Sequence, residues 1–461
     1  MLRRGPIVLG SAAALSLLAA GCGNQYRPVV SAINPVGPAS QPTKYAIAIS
    51  APSPTAQGLL TFVDFAGDTV LTTPNVLANP VYLALAPGGG TGYAINGAGS
   101  FNEFPAGSPS TLISSQVGQS TLSAGSQPVS ITSVSMTGTN ASVFVPEPTL
   151  SQVAALTTTG SLDQNVGIPN NPIYVVGANA GRRAYVISEG DGVTPSTVSS
   201  VESGNLAVSS TIPVGINPVY GVMTADGNRA FILNKGSGTV NVINVVNNGP
   251  DVAMPVIPAT GTLGLNPVWA DLSPLSTQLV VLNEGDGTHP GSLSIINIPL
   301  CNATSPATNP NCNPANPVDA VGFGQVLATV PVGINPVMVS VLQDGTKAYV
   351  ANQGVICPAN AGSSCTNVEG SVSVVNLVSG LVSATLPGNS SAAATADTNT
   401  TPTAVYGHPT TIAATTGTPT GKVYVTSSDN KFMTVIETDT DTIETHVNLQ
   451  GLGVRVVVTA Q

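Results

Sequence analysis

Two identical tetrapeptides carry the densest oxygen chemistry in this chain. "EGDG" occurs at Glu189–Gly192 and again at Glu284–Gly287. Glu189, Asp191, Glu284 and Asp286 are carboxylates on Gly-rich turns, the donor type that Ca²⁺ gathers in sets of about 6–8 oxygens. Each copy supplies only two, so bound calcium is one expectation and a good acidic hairpin is the other. A second series precedes proline or heads an apolar run: Asn79, Gln127, Asn171, Asn217, Asn266, Asn335 and His408. Six carboxamides and one imidazole around a common mouth could hydrogen-bond a sugar, a peptide or a small polar ligand. Each side chain could equally cap its own turn. His408 breaks the series with its one titratable group. An imidazole with an unperturbed pKa of about 6.5 would make binding there pH-sensitive.

Catalytic chemistry has little to draw on. The chain holds 3 His, at 289, 408 and 446, and only 7% of its residues are charged. Neither a G-x-S-x-G elbow nor a C-x-x-C-H haem attachment is present. The formal charge of −10, with 12 Lys and Arg spread along the chain, excludes the concentrated basic surface that nucleic acid requires. The inventory therefore favours binding over catalysis.

What must position these residues is a repeat. "IPVGINPVYGVMTADGNRAFILNKG" (212–236) returns as "VPVGINPVMVSVLQDGTKAYVANQG" (330–354). The hinge and its apolar run recur as "NPVYLALAP", "QPVSITSVS", "NPIYVVGA", "NPVYGVMTA", "NPVWADLSP", "NPVMVSVLQ" and "HPTTIAATT", with a last form in "LGVRVVVTA". Most spacings run from 44 to 49 residues. Two are longer and hold insertions, near 301–324, 354–370 and 388–407. Gly (49) and Pro (38) punctuate short runs rich in Val, Ala and Thr, which favours strands and turns. Each unit reads as four short antiparallel strands, the signature of a β-propeller blade. We expect an all-β propeller over 44–461, of eight blades with seven as the alternative. The run at 454–460 completes the first blade and closes the ring by pairing N- and C-terminal strands.

P-V-G-x-N-P, D-G-x-x-A-Y-V-A-N and the near-match "YVTS" at Tyr424–Ser427 resemble the YVTN-type propeller repeat. Some propellers of that kind are lactonases or dehydrogenases, so the resemblance offers a lactonase-like hydrolase at the channel mouth as the alternative function.

The first 43 residues read as an address. "MLRRGPIVLGSAAALSLLAAGC" joins a basic start to an apolar stretch shorter than the ~20 residues of a spanning helix. Its end resembles a bacterial lipobox, with Ala19 where that pattern prefers Leu. Residues 1–21 are then a lipoprotein signal peptide, Cys22 the lipidated residue and 22–43 a flexible tether. Four other cysteines form two close pairs. In an exported chain the economical expectation is Cys301–Cys312 and Cys357–Cys365 disulfides. The combined expectation is a non-catalytic propeller, lipid-anchored in the bacterial envelope on its periplasmic or surface side. It would bind protein or glycan, or scaffold, through the hinge face.

Overall fold

The computed structural model describes residues 44–107, 116–134, 141–177, 181–251, 264–274, 277–298, 322–358, 365–389, 402–415 and 421–459. The signal, Cys22, the tether and the Cys301–Cys312 pair lie outside them. Cys357 and Cys365 are disulfide-bonded, with Cα atoms 5.8 Å apart.

Eight sheets form among the described residues, antiparallel but for the parallel pairing of Leu381–Asn389 with Val405–Tyr406, each built from consecutive strands except the first. We number them blades 1 to 8 by innermost strand: Leu452–Val458, Pro80–Leu85, Thr132–Ser133, Pro172–Gly177, Pro218–Met223, Pro267–Leu272, Pro336–Val341 and Pro409–Ala414. Each of these strands touches the next in that order, and Pro409–Ala414 touches Leu452–Val458, so the series closes on itself. Blade 1 joins Leu452–Val458 to Tyr45–Ala51, Gln57–Asp64 and Val70–Thr72. The seam pairs Ala46 with Val458 and Ile47 with Val457. The expected eightfold ring and its closure are therefore present.

Sequence polarity grades from the middle of a blade to its rim. Second strands such as Arg229–Asn234 and Lys422–Ser427 are buried at every position. They are packed on both faces, which explains near-continuous apolar runs where a half-exposed strand would alternate. Outer strands such as Leu162–Gly167 are mostly exposed. The buried side chains fall into eight apolar clusters, one in each interface between adjacent blades. Polar latches recur outside them. Tyr93, Tyr185 and Tyr349 reach from the second strand of one blade to Thr158, Asn248 and Asp441 in the next. At the seam Lys422 takes that role, bonding Asp68 of blade 1 at 2.5 Å and Glu444 of its own blade at 2.7 Å. Burial pushes the Asp68 carboxyl up to about 6 against the pull of Lys422.

The repeated phrase has a mechanical reason at each letter. Asn79, Asn171, Asn217, Asn266 and Asn335 all adopt positive φ, between 50° and 64°. Asparagine tolerates this left-handed conformation better than most residues. Each of their carbonyls accepts an N–H from just past the second strand, at 2.8–2.9 Å. The last residue of that strand clamps the blade. Asn352 donates to Ser371 and Ser373 on the third strand and accepts the N–H of Gly333 on the preceding blade's outer strand. Gly333 is the glycine of P-V-G, and a Cβ there would lie 2.5 Å from Asn352 Cγ. Asn234 and Gly215 repeat the arrangement.

Candidate functional site

Asn79, Asn171, Asn217, Asn266, Asn335 and His408 each immediately precede the innermost strand of their blade, and four of them turn side-chain polar atoms toward that blade. Asn171 donates to Glu189 and Asn335 to Gln353, both at 2.8 Å; Asn266 donates to the Gly285 carbonyl at 2.8 Å. Asn79 and Gln127 are exposed, whereas Asn217 Oδ1 is buried without a partner. At the eighth blade the left-handed turn moves back one residue to Gly407 (φ 73°), so His408 is no simple stand-in for asparagine. Its Nδ1 lies 2.6 Å from Asp429 Oδ2, its backbone N–H donates to Asp429 Oδ1, and its Nε2 is buried without a partner. Beside Asn79 a hollow of about 280 Å³ is lined by Pro80, Thr410, Leu452 and Val454.

The EGDG carboxylates do not converge. Glu284 pairs with Lys235 at 2.5 Å. Asp191 accepts from Val193 and Thr194, and Asp286 from Thr288 and His289, each within its own turn. Those bonds hold both aspartates below the usual carboxylate range, the Thr194 N–H leading for Asp191 and the His289 N–H for Asp286. Among the described residues no three His, Cys, Asp or Glu side chains gather as a metal site would require.

A different ring lies two residues beyond each hinge proline. The strand register slips there in a β-bulge, between Pro80 and Tyr82, Pro172 and Tyr174, Pro218 and Tyr220, Pro267 and Trp269, Pro336 and Met338, and Pro409 and Thr411. A bulge sets two residues against one and re-aims a side chain. Blade 1 slips in the same way, between Gly453 opposite Ser50 and Arg455 opposite Ile49, so Arg455 occupies the equivalent position. The aromatic members gather in the channel. Tyr174 lies 4.7 Å from Tyr220, and Tyr220 stacks on Trp269 at 3.9 Å between ring centres. Arg455 crosses to them from blade 1, its guanidinium 3.9 Å from the Tyr82 ring centre and 5.4 Å from that of Trp269.

Tyr82, Tyr174 and Arg455 of this cluster line a cavity of about 580 Å³. Its walls run along the innermost strands through Thr132, Ser133, Val134 and Met223 to Gly88, Thr224 and Thr459. It opens at the mouth of the D-G turns, opposite the hinges. Burial raises the Tyr82 and Tyr220 phenols well above their ordinary value, so both remain neutral donors. One step further along the blade 6 strand, Asp271 accepts from Leu272 and Val341, both at 2.8 Å. Burial pushes its carboxyl up to about 6. The sequence reading passed over this ring, although "NPVY", "NPIY", "NPVY" and "NPVW" display three tyrosines and the only tryptophan at one repeat position.

No family model and no curated protein sequence matches the chain. Solved structures do. Apo AztD from Citrobacter koseri superposes with a TM-score of 0.57 at 12% identity, over 91% of this chain and 98% of its own. The dihydro-heme d1 dehydrogenase NirN, in complex with DHE, gives 0.58 at 10% identity, over 92% of this chain and 77% of its own. A candidate 6-phosphogluconolactonase from Bacteroides fragilis gives 0.50 at 12% identity, over 92% and 99%. At such identities the likeness shows the β-propeller fold alone.

Proposed function

We propose that this chain is a recognition propeller of the bacterial envelope, held by lipid on Cys22, and that it takes its ligand in the central channel. One observation carries the reading: the repeated bulge turns Tyr82, Tyr174 and Arg455 onto the wall of a cavity of small-ligand size. The lining residues supply phenols, hydroxyls and a guanidinium. No carboxylate or imidazole stands among the described lining, which favours binding over a lactonase-like hydrolysis. The hinge face, with its side chains bonded back to their turns, serves as scaffold or as a secondary contact for protein or glycan.

The test compares small molecules released from natively purified protein with those from Met223→Trp, which narrows the cavity without touching the hinges. The reading expects a compound present with the parent and absent from the variant. The same set released from both would remove the channel as the site. Fatty-acid labelling tests the anchor separately: label should vanish in Cys22→Ser, and label retained there sinks the lipid attachment.

A further inference from the structure

We propose that the channel cavity binds a small organic monocarboxylate with an apolar body, its head group taken by Arg455. This rests on the recognition reading and gives it a ligand class. The Arg455 guanidinium lies against the Tyr82 and Trp269 rings. Rings next to a guanidinium interact with its face, which leaves in-plane N–H donors for a carboxylate. Nε of Arg455 is buried and has no hydrogen-bond partner among the described residues. No described ion pair involves Arg455. Arg183, Arg229, Lys235, Lys347 and Lys422, by contrast, all have acidic partners.

Asp271, two residues beyond Trp269 and outside the cavity lining, holds its oxygens to two backbone N–H groups. A cation in a partly dehydrated channel without a counter-charge is costly, and a bound anion would offset that cost. The Tyr82 phenol, kept neutral by burial, stands beside the guanidinium as a further donor, and Tyr174 adds a second hydroxyl to the cavity wall. Ile131, Val134, Met223 and Val457 provide the apolar side. One guanidinium in a chain of formal charge −10 suits a single carboxylate and not a polyanion.

The chain contains 1 Trp, Trp269, whose ring lies beside the Arg455 guanidinium, so its fluorescence reports on that head-group site without a label. The probes are hexanoate, neutral hexanamide of the same shape, and inorganic phosphate, each titrated into the purified chain with melting temperature followed in parallel. Hexanoate should shift Trp269 emission saturably and raise the melting temperature, with hexanamide weaker by about tenfold or more. Arg455→Gln should abolish the preference for hexanoate. Arg455→Lys, which keeps the charge but loses the planar fork, should weaken hexanoate severalfold and serves if the Gln variant does not fold. Equal affinity for hexanoate and hexanamide overturns the proposal while leaving the channel as a binding site. Unchanged hexanoate affinity in either Arg455 variant overturns it as well, and so does phosphate matching hexanoate. Silence of Trp269 and of the melting temperature toward every probe, charged and neutral, removes both this proposal and the channel reading.

Discussion

The hinge residue and the bulge residue stand three positions apart at the entry to the same strand, yet they carry opposite sequence habits. Across seven units the hinge position reads Asn, Gln, Asn, Asn, Asn, Asn, His. The bulge position reads Tyr, Ser, Tyr, Tyr, Trp, Met, Thr, and Arg in the seam blade. In the near-constant ring Asn171, Asn266 and Asn335 bond within their own blades, whereas in the varied ring Tyr82, Tyr174 and Arg455 line a shared cavity. Repetition within a ring of identical units marks what every unit needs for itself. Variation marks what the units do together, since eight identical side chains around an axis could recognise only an object of matching symmetry.

Substitutions at three positions sharpen the contrast, the architectural one being the most damaging. Asn352→Ala removes the clamp and strands the Gly333 N–H together with the Ser371 and Ser373 hydroxyls. It should cost about 3 kcal/mol in denaturant unfolding, and a loss under about 1 kcal/mol would refute the clamp.

Asp271, bonded between the innermost strands of blades 6 and 7, comes next. Its carboxyl is raised in the folded state to about 6, above the ordinary 3.8. Its contribution to stability is therefore fully present below pH 3.8 and is lost as pH rises through about 6. Asp271→Asn removes that dependence, so variant stability minus parent stability should rise by about 2 kcal/mol between pH 4 and 7. Asp68, raised similarly by burial, is common to both proteins and cancels. A difference flat across that window would show that Asp271 is not buried against its charge.

The smallest effect belongs to the hinge. Asn335→Ala places a Cβ residue at φ 50° without its bond to Gln353, costing about 1 kcal/mol, whereas Asn335→Gly should be close to neutral. Chemical denaturation of the pair separates the two. A glycine variant as weak as the alanine one would mean that the carboxamide, not the backbone, is what the hinge requires.

The sequence displays the ring openly because blades are local. Hinge, D-G turn and apolar runs recur within a few tens of residues, and even the seam could be inferred from an incomplete blade at each end. The site was less legible. Asn335 reads as a candidate ligand group until its left-handed φ and its bond to Gln353 show where it points. Tyr174, Tyr220 and Trp269 read as ordinary strand aromatics, because a bulge shifts register by one residue and leaves no mark in an alternating pattern. Arg455 was hidden further, in the blade whose hinge is most degenerate, where nothing local ties it to rings hundreds of residues earlier. His408 misled in the other direction. It sits where Asn sits, but Gly407 has taken over the turn.

The seam also decides how the ring answers to tension. Tyr45–Ala51 and Leu452–Val458 run antiparallel, and Tyr45 bonds Thr459 at the same end of the pair. A pull applied between Tyr45 and Thr459 would load those bonds one at a time, peeling the strands as a zipper opens. A pull along the strands would load them together in shear. The ring is thus weakest against forces that draw Tyr45 and Thr459 apart, and a hold on the Tyr45 side alone passes no load across that junction.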